Sequence, residues 1–203
     1  MRPSLIVLHY TAMASCAEAR QRLCDPGAEV SAHWLISEQG QAEPLVEESH
    51  RAWHAGAGEW AGIADVNSHS IGIELANTGA QPFPEPQMVA LESVLAAAIV
   101  RWRIPPHRVI GHSDMAPARK SDPGPRFDWR RLALRGLSVW PDTHATPGDF
   151  IADVRAFGYP AVDDDLLLAA FRLRFRPMAK GPQDAADAAL AAGLARYFRA
   201  SNA

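Results

Sequence analysis

Apolar positions in the first half of the chain come in short unbroken runs, whereas in the second half they recur every three or four residues. Leu5-Ile6-Val7-Leu8 is a continuous apolar run that ends at His9, the pattern of a strand buried on both faces. Residues 30–37 and 42–46 read as two further strands, and Glu38-Gln39-Gly40-Gln41 supplies the turn between them. Ser70-Ile71-Gly72-Ile73-Glu74-Leu75 predicts a strand with one acid among apolar residues, and residues 108–112 predict a short strand that also finishes on a histidine. A short helix is expected over residues 14–24. Met88, Leu91, Val94, Leu95, Ala98, Ile99 and Trp102 lie at i, i+3, i+4 spacing, which predicts a helix over 87–103 with Pro86 near its first turn and Pro105-Pro106 beyond its end. Residues 51–58 and 113–129, rich in Gly or Pro and without periodicity, read as loops. Alternating strands and helices imply an α/β domain over residues 1–146, a central mixed sheet flanked by helices. After a linker around 140–147, helical segments at 148–157, 163–175 and 182–198 imply a small helical appendage over 147–203.

Composition narrows the class. With 203 residues, 48% of them apolar and 21% charged, the chain is long enough for one core and a small addition. A formal net charge of −3 argues against a polyanion-binding surface, so nucleic acid is not an expected partner. No apolar stretch approaches the ~20 residues that span a bilayer. The apolar run at residues 5–8 is too short for a signal peptide and is followed by His9, so a cytoplasmic location is expected, or a periplasmic one if the true start lies upstream. Cys16 and Cys24 are expected as two free thiols rather than one bridge.

The candidate chemistry sits at strand ends. His9 and His112, with Asp122 ten positions after the second, offer two imidazoles and one carboxylate, a ligand set that suits Zn²⁺ with one position left for water. Such an ion lowers the pKa of its water toward ~7 and polarises a carbonyl, which makes amide hydrolysis feasible near neutrality. Each residue also has an ordinary reading: a strand-end histidine hydrogen-bonds in the core or at the surface, and Asp122 before Pro123 serves in a turn. Glu74 is harder to dismiss, because a carboxylate among Ile71, Ile73 and Leu75 needs a partner, a raised pKa or an edge facing solvent.

Four segments, in this order, carry a resemblance: Val7-Leu8-His9-Tyr10-Thr11, Arg51-Ala52-Trp53-His54-Ala55-Gly56, Ser70-Ile71-Gly72-Ile73-Glu74-Leu75, and the run from Gly111-His112-Ser113-Asp114 through Arg119-Lys120-Ser121-Asp122-Pro123-Gly124-Pro125. Together they closely resemble the zinc-dependent N-acetylmuramoyl-L-alanine amidases of the amidase-2 class, relatives of peptidoglycan-recognition proteins. Phe127-Asp128-Trp129, Val139-Trp140-Pro141-Asp142 and Phe171-Arg172-Leu173-Arg174-Phe175-Arg176-Pro177 extend the likeness to the AmiD-like subgroup, so it covers nearly the whole chain. The resemblance implies hydrolysis of the amide joining N-acetylmuramic acid, or its 1,6-anhydro form, to L-alanine, with peptidoglycan or a muropeptide as substrate. It implies His9, His112 and Asp122 as zinc ligands, Glu74 as the group that moves the proton, and Lys120 as the cation near the developing oxyanion. Trp53, His54, Asn67, Ala116 and Arg119 are implied to contact substrate, and the C-terminal helices either to bind cell wall or to cap the fold. The chain departs from some relatives at Asp65-Val66-Asn67-Ser68-His69, where they carry an arginine. The alternative is a peptidoglycan-recognition module without catalysis, which needs neither the metal ligands nor Glu74.

Overall fold

The computed structural model describes the backbone of residues 1–201 and the side chains of residues 1–196. Its sheet has the strand order β3-β2-β4-β1-β5, built from β1 (Leu5–Tyr10), β2 (Trp34–Ile36), β3 (Ala42–Pro44), β4 (Ser70–Leu75) and β5 (Val109–Gly111). β1 pairs in parallel with β4 and β5, β4 pairs in parallel with β2, and β3 adds the antiparallel edge. Parallel pairing needs helices on both faces, which is why Leu5, Ile6, Val7 and Leu8 are all buried.

Side chains alternate between the two faces of a strand, and the sequence uses the alternation. On one face Ile6, Leu8, Ile71, Ile73 and Leu75 pack against Met88, Leu91, Leu95 and Ala98 of α2 (Glu85–Trp102). That helix starts two residues before its predicted first residue, and Arg103 closes it in the left-handed conformation, at φ 56°. On the other face Leu5, Val7 and Ile110 pack with Trp60 and Met115 against α5 (Phe150–Phe157), α6 (Asp164–Phe175) and α7 (Ala185–Ser201). The C-terminal helices thus share one core with the sheet rather than standing off from it.

The strand over 30–37 is shorter than its pattern suggests, because the Ser31 N–H turns to the carbonyl of Trp53 and leaves only Trp34–Ile36 in the ladder. α1 (Cys16–Leu23) forms as expected, capped by the Ser15 hydroxyl, and both cysteines are free. At the start of the stretch expected to be loop, residues His112–Met115 form α3, and from its last residue onward Trp129–Leu134 form α4 with Asp128 as its N-cap. No helix among the described residues is long and apolar enough to cross a membrane.

A buried ion pair ties α6 to α3. Arg174 donates to Asp114 Oδ2 at 2.6 Å, to the carbonyl of Val109 at 3.1 Å and to Ser138 Oγ at 3.1 Å, with its guanidinium 4.1 Å from the Trp129 ring centre. Asp114 also accepts from the Tyr159 hydroxyl at 2.6 Å and from the Gly111 N–H at 2.8 Å. Truncating one partner of such a pair leaves the other charge buried and alone, which costs about 3–5 kcal/mol. Arg174→Met is therefore expected to lower the unfolding free energy by about that amount, read from urea denaturation of the full chain. An unchanged midpoint would show that Asp114 is satisfied without the arginine.

Candidate active site

His9 lies near the C-terminal end of β1, on the face of Leu5 and Val7, and its Cα partner across the ladder is Glu74 of β4. Partners in a parallel pair point to the same side, so the imidazole and the carboxylate share one face. His112 opens α3 directly after β5. Asp122 is brought beside it by the Ser113 N–H, which donates to the Asp122 carbonyl at 2.9 Å. The close approach requires glycine at 111, where a Cβ would stand 2.8 Å from Pro123 Cδ and 3.2 Å from Trp129.

Three potential ligand atoms then meet. His9 Nδ1 is 2.9 Å from His112 Nδ1, and each lies 3.0 Å from Asp122 Oδ2. The three residues are only 1%, 3% and 8% exposed. His112 Nε2 donates to the Ala55 carbonyl at 2.8 Å, so the neutral ring carries a lone pair, not a proton, at Nδ1. A carboxylate oxygen and two imidazole nitrogens this close repel one another unless a proton or a cation stands between them. Two nitrogens and one oxygen, with their outer N–H groups held elsewhere and one side open, fit a divalent metal ion with a free coordination position.

Burial followed by the neighbouring His112 pulls the His9 pKa down to about 4, so the ring stays neutral as a ligand must. Burial alone would raise the Asp122 carboxyl, but the adjoining rings of His112 and His9 hold it low. Glu74 goes the other way: burial, reinforced by the charge of Asp122 and opposed by Lys120, pushes its pKa up to about 8. Glu74 Oε2 is buried and without a hydrogen-bond partner. A carboxyl group kept this way holds a proton loosely at neutral pH.

The three atoms sit at the floor of a cleft of about 380 Å³ that Glu74, Tyr10, Trp53, His54, Arg119 and Lys120 also line. Lys120 is exposed on its rim, and Trp53, 50% exposed, lines it as well. The other residues expected at substrate have other attachments. Asn67 Oδ1 accepts from the N–H groups of His54 and Ala55 at 3.0 and 2.9 Å, which pins the loop carrying Trp53. Arg119 donates to the Ala55 carbonyl at 3.2 Å and to that of Ala57, bracing the same loop from the cleft side. Ala116 packs in the core with Met115 and does not line the cleft. His54 lies behind His9, with its Nδ1 3.0 Å from His9 Nε2. Arg22 of α1 lines the cleft as well. Its helical setting gave no sign of that, because only the packing of α1 beside β2 brings it there.

A family profile described as N-acetylmuramoyl-L-alanine amidase matches residues 1–125. The N-acetylmuramoyl-L-alanine amidase AmiD of Escherichia coli is 34% identical, over 97% of this chain and 84% of its own. A solved structure of that enzyme, in complex with the substrate anhydro-N-acetylmuramic acid-L-Ala-D-γ-Glu-L-Lys, superposes with a TM-score of 0.89 and 33% identity, covering 98% of this chain and 91% of the other. The 1,6-anhydro-N-acetylmuramyl-L-alanine amidase AmpD of Citrobacter freundii is 42% identical over 57% of this chain and 60% of its own. With the profile on well over half of its residues and a relative aligned along nearly its full length, the chain belongs to the amidase-2 family of N-acetylmuramoyl-L-alanine amidases.

Proposed function

We propose that this amidase cleaves the amide between N-acetylmuramic acid, in particular its 1,6-anhydro form, and L-alanine, and that the ion held by His9, His112 and Asp122 is zinc. The observation that carries the reading is the meeting of three lone-pair donors beside a carboxyl with a free oxygen, at the floor of a cleft. The donor set of two imidazoles and a carboxylate is the one zinc favours in catalytic sites, and magnesium or calcium would call for more oxygen. Zinc bound there would polarise the scissile carbonyl and lower the pKa of a coordinated water.

The chain's own groups do the rest. Glu74 stands across the ladder from His9, so its free oxygen can take a proton from the attacking water. Water oxygen adds to the carbonyl carbon, the C–N bond breaks, and Glu74 delivers the proton to the departing nitrogen of L-alanine. The products are the muramic acid carboxylate and a peptide with a free amine. A proton affinity balanced near neutrality suits a group that must both accept and give. Lys120 on the rim adds positive charge where the carbonyl oxygen becomes negative, an interaction that strengthens only as the transition state forms. Trp53 offers a flat apolar surface for the sugar or the stem peptide. A recognition module would gain nothing from burying Glu74 without a partner.

Purified protein is expected to carry about one zinc per chain, and chelation should abolish release of the stem peptide from anhydromuropeptide, followed by chromatography. Glu74→Ala should retain the metal and lose on the order of 10²-fold or more in kcat. Full turnover in that variant would remove Glu74 from the mechanism. Burial also gives Glu74 a stability signature in chelator-treated protein. Its folded pKa lies above its unfolded one, so the stability it contributes is complete below about pH 4.5 and falls as pH rises toward about 8. Glu74→Gln should therefore gain stability relative to the parent between pH 5 and pH 8 in urea denaturation, and a constant difference would contradict the assignment.

A further inference from the structure

The outer nitrogen of His9 does not reach a carbonyl or carboxylate, the usual partners of a metal-binding imidazole. It meets His54, and behind His54 stands Ser70. We infer that Ser70 and His54 are positioning residues, forming with the Val66 carbonyl a relay of hydrogen bonds that fixes the tautomer of His9 and turns its Nδ1 lone pair toward the cation site. The inference rests on the cation-site reading given above for His9, His112 and Asp122.

Each link follows from the one before. The Val66 carbonyl can only accept, and Ser70 Oγ lies 2.6 Å from it, so the single hydroxyl proton is committed there. Ser70 is fully buried, which removes solvent as an alternative partner. Ser70 Oγ then acts as an acceptor toward His54 Nε2, 3.2 Å away, and Nε2 carries the N–H. His54 Nε2 faces the Ser70 hydroxyl and Nδ1 faces His9, and a hydrogen bond to the Ser70 backbone gives the ring's proton a further acceptor. With its proton on Nε2, its Nδ1 is an acceptor, and His9 Nε2, 3.0 Å away, is the donor. A neutral His9 with its proton on Nε2 has a lone pair on Nδ1, the atom that faces His112 and Asp122. The Ala55 carbonyl sets the same tautomer for His112 in one step, whereas His9 needs three.

The surroundings hold the relay in one arrangement. The backbone of His54 is pinned by Asn67. Its ring lies over Gly72, where a Cβ would come within 2.3 Å of Cγ, and stands edge-on to His9 with ring centres 5.1 Å apart and an interplanar angle of 76°. Ser70, Gly72 and Glu74 alternate along β4 on one face, so a single strand supplies the relay's acceptor, the space for its ring and the proton-carrying carboxyl.

The test uses full-length protein freed of metal with a chelator and labelled with ¹⁵N at histidine. Two-bond and three-bond proton–nitrogen correlations read each tautomer, and His9 is expected to be protonated at Nε2 alone. Ser70→Ala should leave His9 a mixture of tautomers and weaken zinc about 10–100-fold in competition with a chromophoric chelator. Ser70→Thr, which keeps the hydroxyl, should restore both. A role in packing alone would shift the unfolding midpoint without moving the tautomer. Protonation of His9 at Nδ1 in the parent protein would overturn the proposal whether or not any variant folds, as would unchanged zinc affinity in a folded Ser70→Ala. If the parent shows the expected tautomer yet binds no zinc, the relay stands and the cation site fails.

Discussion

Two imidazole nitrogens and a carboxylate oxygen at about hydrogen-bond distance from one another repel, and a protein keeps them so only by making every alternative worse. His9 is held through its backbone by the pairing of β1 with β4 and through its ring by His54. His112 is fixed by the Ala55 carbonyl, and Asp122 by the N–H of Ser113. An unsatisfied buried polar group costs on the order of 1–3 kcal/mol. The two apolar layers pressed on the sheet offset such costs, and an ion among the three donors removes the repulsion. The binding free energy of the ion is therefore also folding free energy at this point of the chain.

The same constraint explains the place of the C-terminal helices. His112 stands at the start of a helix of only four residues, too short to be stable through its own hydrogen bonds. Asp114, one turn in, caps the N–H of Gly111 and is itself gripped by Tyr159 and Arg174, which arrive from far along the chain. The loop with Trp53 is braced in an equivalent way, by Asn67 from below and Arg119 from the cleft. Asn67 and Arg119 thus hold the backbone of the loop that carries Trp53, and Arg119 lines the cleft as well.

What could be read from the chain beforehand follows the range of the interactions involved. The apolar run at Leu5 to Leu8 and the helical spacing from Met88 to Trp102 are local patterns, and both elements formed where expected. His9, Glu74, His112 and Asp122 could be singled out because strand ends and an acid in an apolar strand are visible in sequence. α3 and α4 could not, since six residues or fewer show no periodicity and their stability comes from distant partners. The early end of strand β2 was equally hidden, because it depends on a hydrogen bond from Ser31 to a loop residue, Trp53. His54 was legible as a member of a motif but not as a neighbour of His9, which requires the register of β1 on β4 to be known.

That register gives β4 its economy. A strand with period two has one face for the core and one for chemistry, and Ser70-Ile71-Gly72-Ile73-Glu74-Leu75 divides without remainder: Ile71, Ile73 and Leu75 go to the α2 layer. A slip of one residue would expose three apolar side chains to the site and bury a serine and a glutamate under a helix, so the core enforces the register that the chemistry requires. The acid is raised in pKa by the same burial that stabilises the strand carrying it. Packing and reactivity at this site are therefore two consequences of one alternation, and neither can be altered along β4 without the other.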